Sequence, residues 1–305
     1  MRSVQTAGVR QEGTQSLRWI TWSAMLVASE LPEILLRLRG NPPLWLPLAQ
    51  IGVLMLAAIA VAFSPKTQSL AGFLLALAAL LLGWSVLTPA LAFSGTVAHF
   101  AQHLDWGERL FLSRLLPVSG AIVMLITLVR SGLTRRDLFL YRGDLDAPAQ
   151  PEPILWFRRP IPWTRFGAQL LIIFGVLLPV FLFFTVHPDF AQVGRVWRFL
   201  PWGIAVAMLN AASEEFQFRS VLLAHLTRSI SNREAVLITA VLFGIGHYYG
   251  QPSGPVGALM AGIAGWVWGK SMIETRGFTW AFVIHMVQDI VIFCFLAMEV
   301  VPKSA

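Results

Sequence analysis

Glu214 and Glu215 stand side by side in a stretch, 199–223, that is otherwise apolar enough to lie inside a membrane. Translocon scales charge about 2.5–3.5 kcal/mol for an ionised residue at the centre of a spanning helix. On a helix, Glu215 and Arg219 share a face at a spacing of four, so they can neutralise each other. Asn210, Glu214 and Gln217 form a neighbouring stripe, which leaves Glu214 as the carboxylate available for chemistry. Two more polar clusters follow, Phe243-Gly-Ile-Gly-His247 and His285-Met-Val-Gln-Asp289. His285 and Asp289 are four apart and project from one helix face. Ionisable residues at membrane depth face the interior of a bundle or a water-filled cavity. A carboxylate, two histidines and an aspartate that converge there have the parts to activate water and stabilise an oxyanion. Glu214, His247, His285 and Asp289 also offer the nitrogen and oxygen donors of a divalent metal site, zinc for example.

The elements that must position these residues are membrane helices. The chain is 56% hydrophobic and only 13% charged, against about 45–50% and 25% for soluble domains. Several apolar runs reach the roughly twenty residues needed to cross a bilayer. The expected fold is therefore all-α, a polytopic transmembrane bundle of eight or nine spans. The net charge of +7 reads as a topology signal and as affinity for membrane lipid headgroups. The arginines are dispersed over many short loops, which argues against a nucleic-acid surface. One cysteine, Cys294, excludes an internal disulfide and any multi-cysteine cluster.

Residues 1–16 read as a disordered cytoplasmic tail. Spans are expected near 17–38, 44–63, 69–93 and 110–129, an N-terminal region (17–129) without a recognisable role. His99 and His103 are spaced as a metal pair but sit beside Asp105 and Glu108, in what reads as a short exposed helix. Residues 130–165 form the one long hydrophilic connection, rich in Arg (Arg130 to Arg165) and with prolines around 147–153; it should be cytoplasmic. The region 166–305 carries the polar clusters, on spans near 166–186, 199–223, 234–250, 255–273 and 278–300. With the N-terminus inside, fifteen of the 23 Lys and Arg fall on the cytoplasmic side and seven outside. The absence of a cleavable leader and the Ala/Arg-rich composition point to a multi-pass protein of a bacterial inner membrane.

Glu214-Glu-Phe-Gln-Phe-Arg-Ser, Ala240-Val-Leu-Phe-Gly-Ile-Gly-His and Gly277-Phe-Thr-Trp-Ala-Phe-Val-Ile-His, the last leading to Asp289, carry a resemblance over 197–300. In order and separation they resemble the motifs of the CAAX-protease and bacteriocin-processing (Abi) family of intramembrane proteases, which includes the prenyl-protein CAAX endoproteases. The resemblance implies an endopeptidase acting on a membrane-anchored or membrane-delivered protein or peptide. Glu214 would be the general base on the hydrolytic water, with His247 assisting. His285 and Asp289 would stabilise the oxyanion or complete the water site, and Glu215, Arg219, Phe243 and Asn210 would support it. Members are described both with and without a metal, so no cofactor is certain and a divalent ion stays open. Two positions depart from the pattern. Ser220 follows the Arg where many members have Gly, and Asp289 stands where better-known members have Asn. An ionised Asp cannot donate to an oxyanion; it must be protonated, ligate a metal or orient His285. Two rivals remain: a proton- or cation-coupled transporter, although no internal repeat accompanies the clusters, and a catalytically silent scaffold of the same fold.

Overall fold

The computed structural model describes residues 2–299 except 130, 153, 156 and 251. Arg130, Pro153 and Val300, assigned above to the long loop and the last span, lie outside the described residues. About three quarters of the chain, 74%, is helical. Among the described residues, five helices are long and apolar enough to cross a membrane: Gln68–Ala92, Trp106–Leu128, Trp163–Val186, Gly254–Thr275 and Thr279–Ala297. Leu46–Ala62 is apolar but shorter. Val193–Glu214 has the length, but Arg195, Arg198, Asn210 and Glu214 dilute its hydropathy. Asn232–Ile245 has only 14 residues.

Two N-terminal expectations change. Residues 2–16 belong to a helix, Arg2–Ala28, rather than to an unstructured tail. Extending an existing helix costs far less than nucleating one, and no proline stands between Arg2 and Leu17 to stop it. The run 17–38 is not one span: the helix ends at Ala28, and a second, Leu31–Arg37, starts with Pro32 in its first turn. The carbonyls freed at the break are used, because the Gln50 amide donates to Val27 O at 2.6 Å and Ser29 O at 3.2 Å.

The chain divides into two interleaved compact units. The first comprises Met1–Ala90, Pro117–Leu138 and Phe216–Gly269. Its centre is Ala71–Leu81, apolar on all sides and mostly buried, with Phe73, Leu74 and Leu77 fully so. Leu46–Ala62, Val118–Leu128, Arg2–Ala28 and Leu222–Leu226 pack around it. Gly83 and Gly120 let two helices touch, since a Cβ on Gly83 would lie 2.1 Å from Gly120 Cα. The space above Gly120 holds the Gln217 amide, which accepts from Trp84 Nε1 at 3.0 Å and donates to Pro117 O at 3.3 Å. The N-terminal region thus supplies the core and seats part of the first motif.

The second unit comprises Leu91–Leu116, Phe139–Glu215 and Lys270–Ala305. Val193–Glu214 and Thr279–Ala297 pack antiparallel, with Phe199, Val206, Ala207, Phe293 and Ala297 as their common core. Trp163–Val186 lies along Thr279–Ala297. Its other face shows Ile172, Val176, Leu177 and Phe184 outward, as a lipid-facing helix should. The part of the hydrophilic connection from 139 onward is folded and contains a short antiparallel ribbon, Pro148–Ala149 against Ile161–Pro162, that the all-α expectation did not include. It grips the turn leading into Thr279–Ala297. Asp144 N donates to Thr275 O, Phe278 N to Tyr141 O, and Trp280 Nε1 to Leu145 O. The buried Trp163 donates from Nε1 to Glu274, which also holds Lys270.

Gly143 is the tightest point of that grip. Its φ is +73°, and a Cβ would lie 2.6 Å from Gly277 Cα, backbone against backbone. Gly143→Ala is therefore expected to destabilise the protein by about 1–3 kcal/mol, through overpacking and a left-handed backbone. Gly175→Ala, where a Cβ meets nothing within 4 Å, should shift stability by less than about 1 kcal/mol. Thermal melts of both variants in detergent check this; equal melting temperatures would contradict the packing account.

Candidate active site

The antiparallel pairing of Val193–Glu214 with Thr279–Ala297 sets polar residues of one helix against those of the other. His285 is the centre, almost wholly buried. Its Nδ1 donates to Glu215 Oε1 at 2.8 Å. Its Nε2 faces two further carboxylates, Glu214 Oε2 and Asp289 Oδ1, each at 3.6 Å. Asp289 Oδ2 in turn accepts from Asn210 Nδ2 at 2.9 Å. All five residues are buried. Neighbouring residues on a helix point about 100° apart, so Glu214 and Glu215 cannot line one face. They can embrace one imidazole from two sides, because its nitrogens point in different directions.

Glu214 approaches His285 Nε2 without a hydrogen bond to it. Its Oε2 is buried and has no hydrogen-bond partner among the described residues. A buried carboxylate oxygen without a partner costs stability, and such sites are retained where chemistry needs them. The Asp289 carboxylate accepts from Asn210 and lies opposite His285 Nε2.

Past Glu214 the helix widens. Residues Glu215–Val221 form a π-helical stretch, which inserts extra backbone into the turn. This changes the stripe expected from regular helical spacing. Asn210 reaches Asp289 and Glu214 faces His285, while Gln217 is turned to Trp84 and Pro117.

The remaining motif residues form a group within the first unit. The Arg219 guanidinium is fully buried and stacks on Phe243 at 3.8 Å and Trp268 at 4.8 Å from the ring centroids. Gly265 makes the room, since a Cβ there would lie 2.5 Å from Arg219 Nη2. Phe243 also packs on the His247 ring at 4.1 Å. His247 Nδ1 donates to Phe243 O at 2.9 Å. A carbonyl oxygen only accepts, so this bond puts a proton on Nδ1.

Among the described residues, no group of three or more His, Cys, Asp and Glu is arranged to hold a metal ion. His99 and His103 are both exposed, with ring centroids 5.0 Å apart, next to the Asp105–Glu108 capping box.

The geometry is that of a buried, carboxylate-lined imidazole beside an unpartnered carboxylate oxygen, at membrane depth. Residues 196–291 match the family model described as type II CAAX prenyl endopeptidase Rce1-like. The matched residues contain all three motifs and cover about a third of the chain. That family is a family of proteases. Neither the curated proteins nor the solved structures compared gave a match.

The contact between Glu215 and His285 was not readable from sequence, where Glu215 was paired with Arg219 by spacing alone. The only signal for it is the unusual doublet of adjacent glutamates. Replacing Glu215 by Ala strips the acceptor from a buried imidazole N–H and should cost about 3–5 kcal/mol, the usual penalty for one-sided removal of a buried pair. Glu215→Gln keeps an acceptor oxygen and should retain most of that stability. Melting temperatures of the two variants in detergent check this; an unchanged Glu215→Ala would contradict the assigned contact.

Proposed function

We propose that the protein is an intramembrane endopeptidase in which Glu214 activates water for attack on a peptide bond of a membrane-anchored or membrane-delivered substrate. The observation that carries the proposal is the unpartnered, buried Glu214 Oε2 at 3.6 Å from His285 Nε2. The family match to residues 196–291 supports the reaction class. A separation of Glu214 from both histidines would have favoured the transporter reading, and the approach to His285 removes that ground.

In this reading Glu214 Oε2 takes a proton from a water molecule as its oxygen bonds to the scissile carbonyl carbon. The carbonyl π electrons move to oxygen and form an oxyanion. A doubly protonated His285 can donate to that oxyanion from Nε2. Glu215 on Nδ1 and Asp289 opposite Nε2 compensate its charge and fix its ring. Glu214 then passes its proton to the departing nitrogen, the C–N bond breaks, and a carboxylate and an amine leave. Asn210 acts one step removed, by holding Asp289. Arg219 and Phe243 support the motif helix through stacking. His247 enters this reading from its motif alone, as an assisting base.

We further propose that the mechanism is metal-free. The helices Arg2–Ala28, Val193–Glu214 and Asn232–Ile245 would join the five apolar ones and Leu46–Ala62 in a bundle of eight or nine spans. The membrane would be a bacterial inner membrane, with 130–165 on its cytoplasmic face.

Glu214→Gln preserves size and removes the base, and a lost general base typically lowers the rate by about 10²–10⁴-fold. The assay is cleavage of a prenylated CAAX-type peptide by purified protein in detergent, with and without a chelator. The expected result is a folded, inactive variant and a wild-type rate that the chelator leaves unchanged. A folded Glu214→Gln cleaving at the wild-type rate would overturn the base assignment, and chelator-sensitive wild-type activity would overturn the metal-free one.

A further inference from the structure

At the other end of the same helix pair lies a cavity of about 470 Å³. It is built by the start of Trp106–Leu115, the start of Val193–Glu214 and the end of Thr279–Ala297, all in the second unit. Its polar wall is Arg109, Arg195 and Arg198; its apolar wall includes Trp106, Trp202 and Leu296. The volume falls in the range of small-molecule sites.

Three exposed guanidiniums meet at one opening, one more than the acidic residues that line it. None of the three forms an ion pair among the described residues, and Arg109 donates only to the backbone Leu104 O. Asp105 and Glu299 also line the cavity. Asp105 is engaged elsewhere, capping its own helix by accepting from Glu108 N at 2.9 Å. Arg195 sits in the first turn of its helix and Arg109 on the fourth residue of its own. The positive end of the helix dipole repels a cation there. A bound anion would reverse both penalties at once, and a phosphate matches the fork geometry of Arg.

The level of the cavity in the membrane follows from helix length. Thr279–Ala297 rises about 28 Å, close to the thickness of the hydrocarbon core. The folded loop from 139 onward grips its first end, and the cavity lies at its last. The cavity is therefore at the headgroup level of the leaflet opposite the Arg-rich loop, with tryptophans where interfacial aromatics belong.

We propose that this cavity binds the phosphate headgroup of an anionic membrane lipid, with Arg109, Arg195 and Arg198 as its ligands and the tryptophans against the glycerol and upper chain. The site is separate from the carboxylate–histidine cluster: Arg198 and Glu214 are about 24 Å apart along their helix. Its test does not depend on peptidase activity.

The full chain is purified in detergent and its melting temperature followed with added phosphatidylglycerol, phosphatidylcholine, glycerol 3-phosphate or inorganic phosphate. Phosphatidylglycerol is expected to raise it by at least about 4 °C and phosphatidylcholine by much less. The double variant Arg195→Gln/Arg198→Gln should keep its lipid-free melting temperature and lose at least half of the shift. Should that variant not fold, Arg109→Gln on the neighbouring helix is measured in the same way, with the same expectation. Equal shifts from both lipids, or an undiminished shift in a folded variant, would overturn the proposal. A full shift from inorganic phosphate or glycerol 3-phosphate would overturn the lipid assignment in favour of a soluble anion. Displacement of phosphatidylglycerol by a peptide with a free C-terminal carboxylate would assign the cavity to substrate instead.

Discussion

The hydrogen bond between His285 and Glu215 is the constraint on which the rest of the site depends. An imidazole buried at membrane depth keeps a polar N–H only if an acceptor is already in place. Glu215 supplies it at 2.8 Å and so sets the ring orientation. That orientation decides where Nε2 points, and Nε2 is what brings Glu214 and Asp289 into one polar group. The bond joins two helices, so it holds only while Val193–Glu214 and Thr279–Ala297 keep their antiparallel register. The apolar cluster around Phe199, Ala207 and Phe293 and the loop gripping the first end of Thr279–Ala297 maintain that register.

Glu215 is also where the chain leaves one compact unit and enters the other, and where the α-helix gives way to π geometry. A π stretch is less stable than the helix it interrupts and persists where a local need outweighs that cost. Here it lets consecutive residues serve different neighbours. Glu214 and Glu215 turn to His285, Gln217 fills the space left by Gly120, and Arg219 stacks on two aromatic rings. Arg219 packs on the faces of Phe243 and Trp268 in a way that Lys would not reproduce, because a planar guanidinium stacks and a compact ammonium does not.

Much of the site was legible in the sequence because polar residues are conspicuous in an apolar chain. The His285–Asp289 spacing predicts a shared face, and both side chains do point into one cluster. Asn210 and Glu214 likewise fall on the side that meets them. The partners were harder to read. Spacing offers Glu215 only its own helix as a source of partners, whereas the contact with His285 is between helices, and no local rule encodes it. The π stretch was invisible for the same reason, since its cause is packing. The interleaving of the two units also leaves no mark along a chain read in order. The break at Ser29, by contrast, has a local cause in Pro32, which the run of hydrophobic residues from 17 to 38 concealed.

The central claim is that this cluster adds water across a peptide bond. The most direct measurement is cleavage of a prenylated CAAX-type peptide in H₂¹⁸O, with both products weighed by mass spectrometry. The account predicts one internal cut, an intact C-terminal fragment, and a single ¹⁸O in the new carboxylate of the membrane-anchored product. Intact peptide after prolonged incubation with folded protein, or fragments carrying no ¹⁸O at the new terminus, would contradict it.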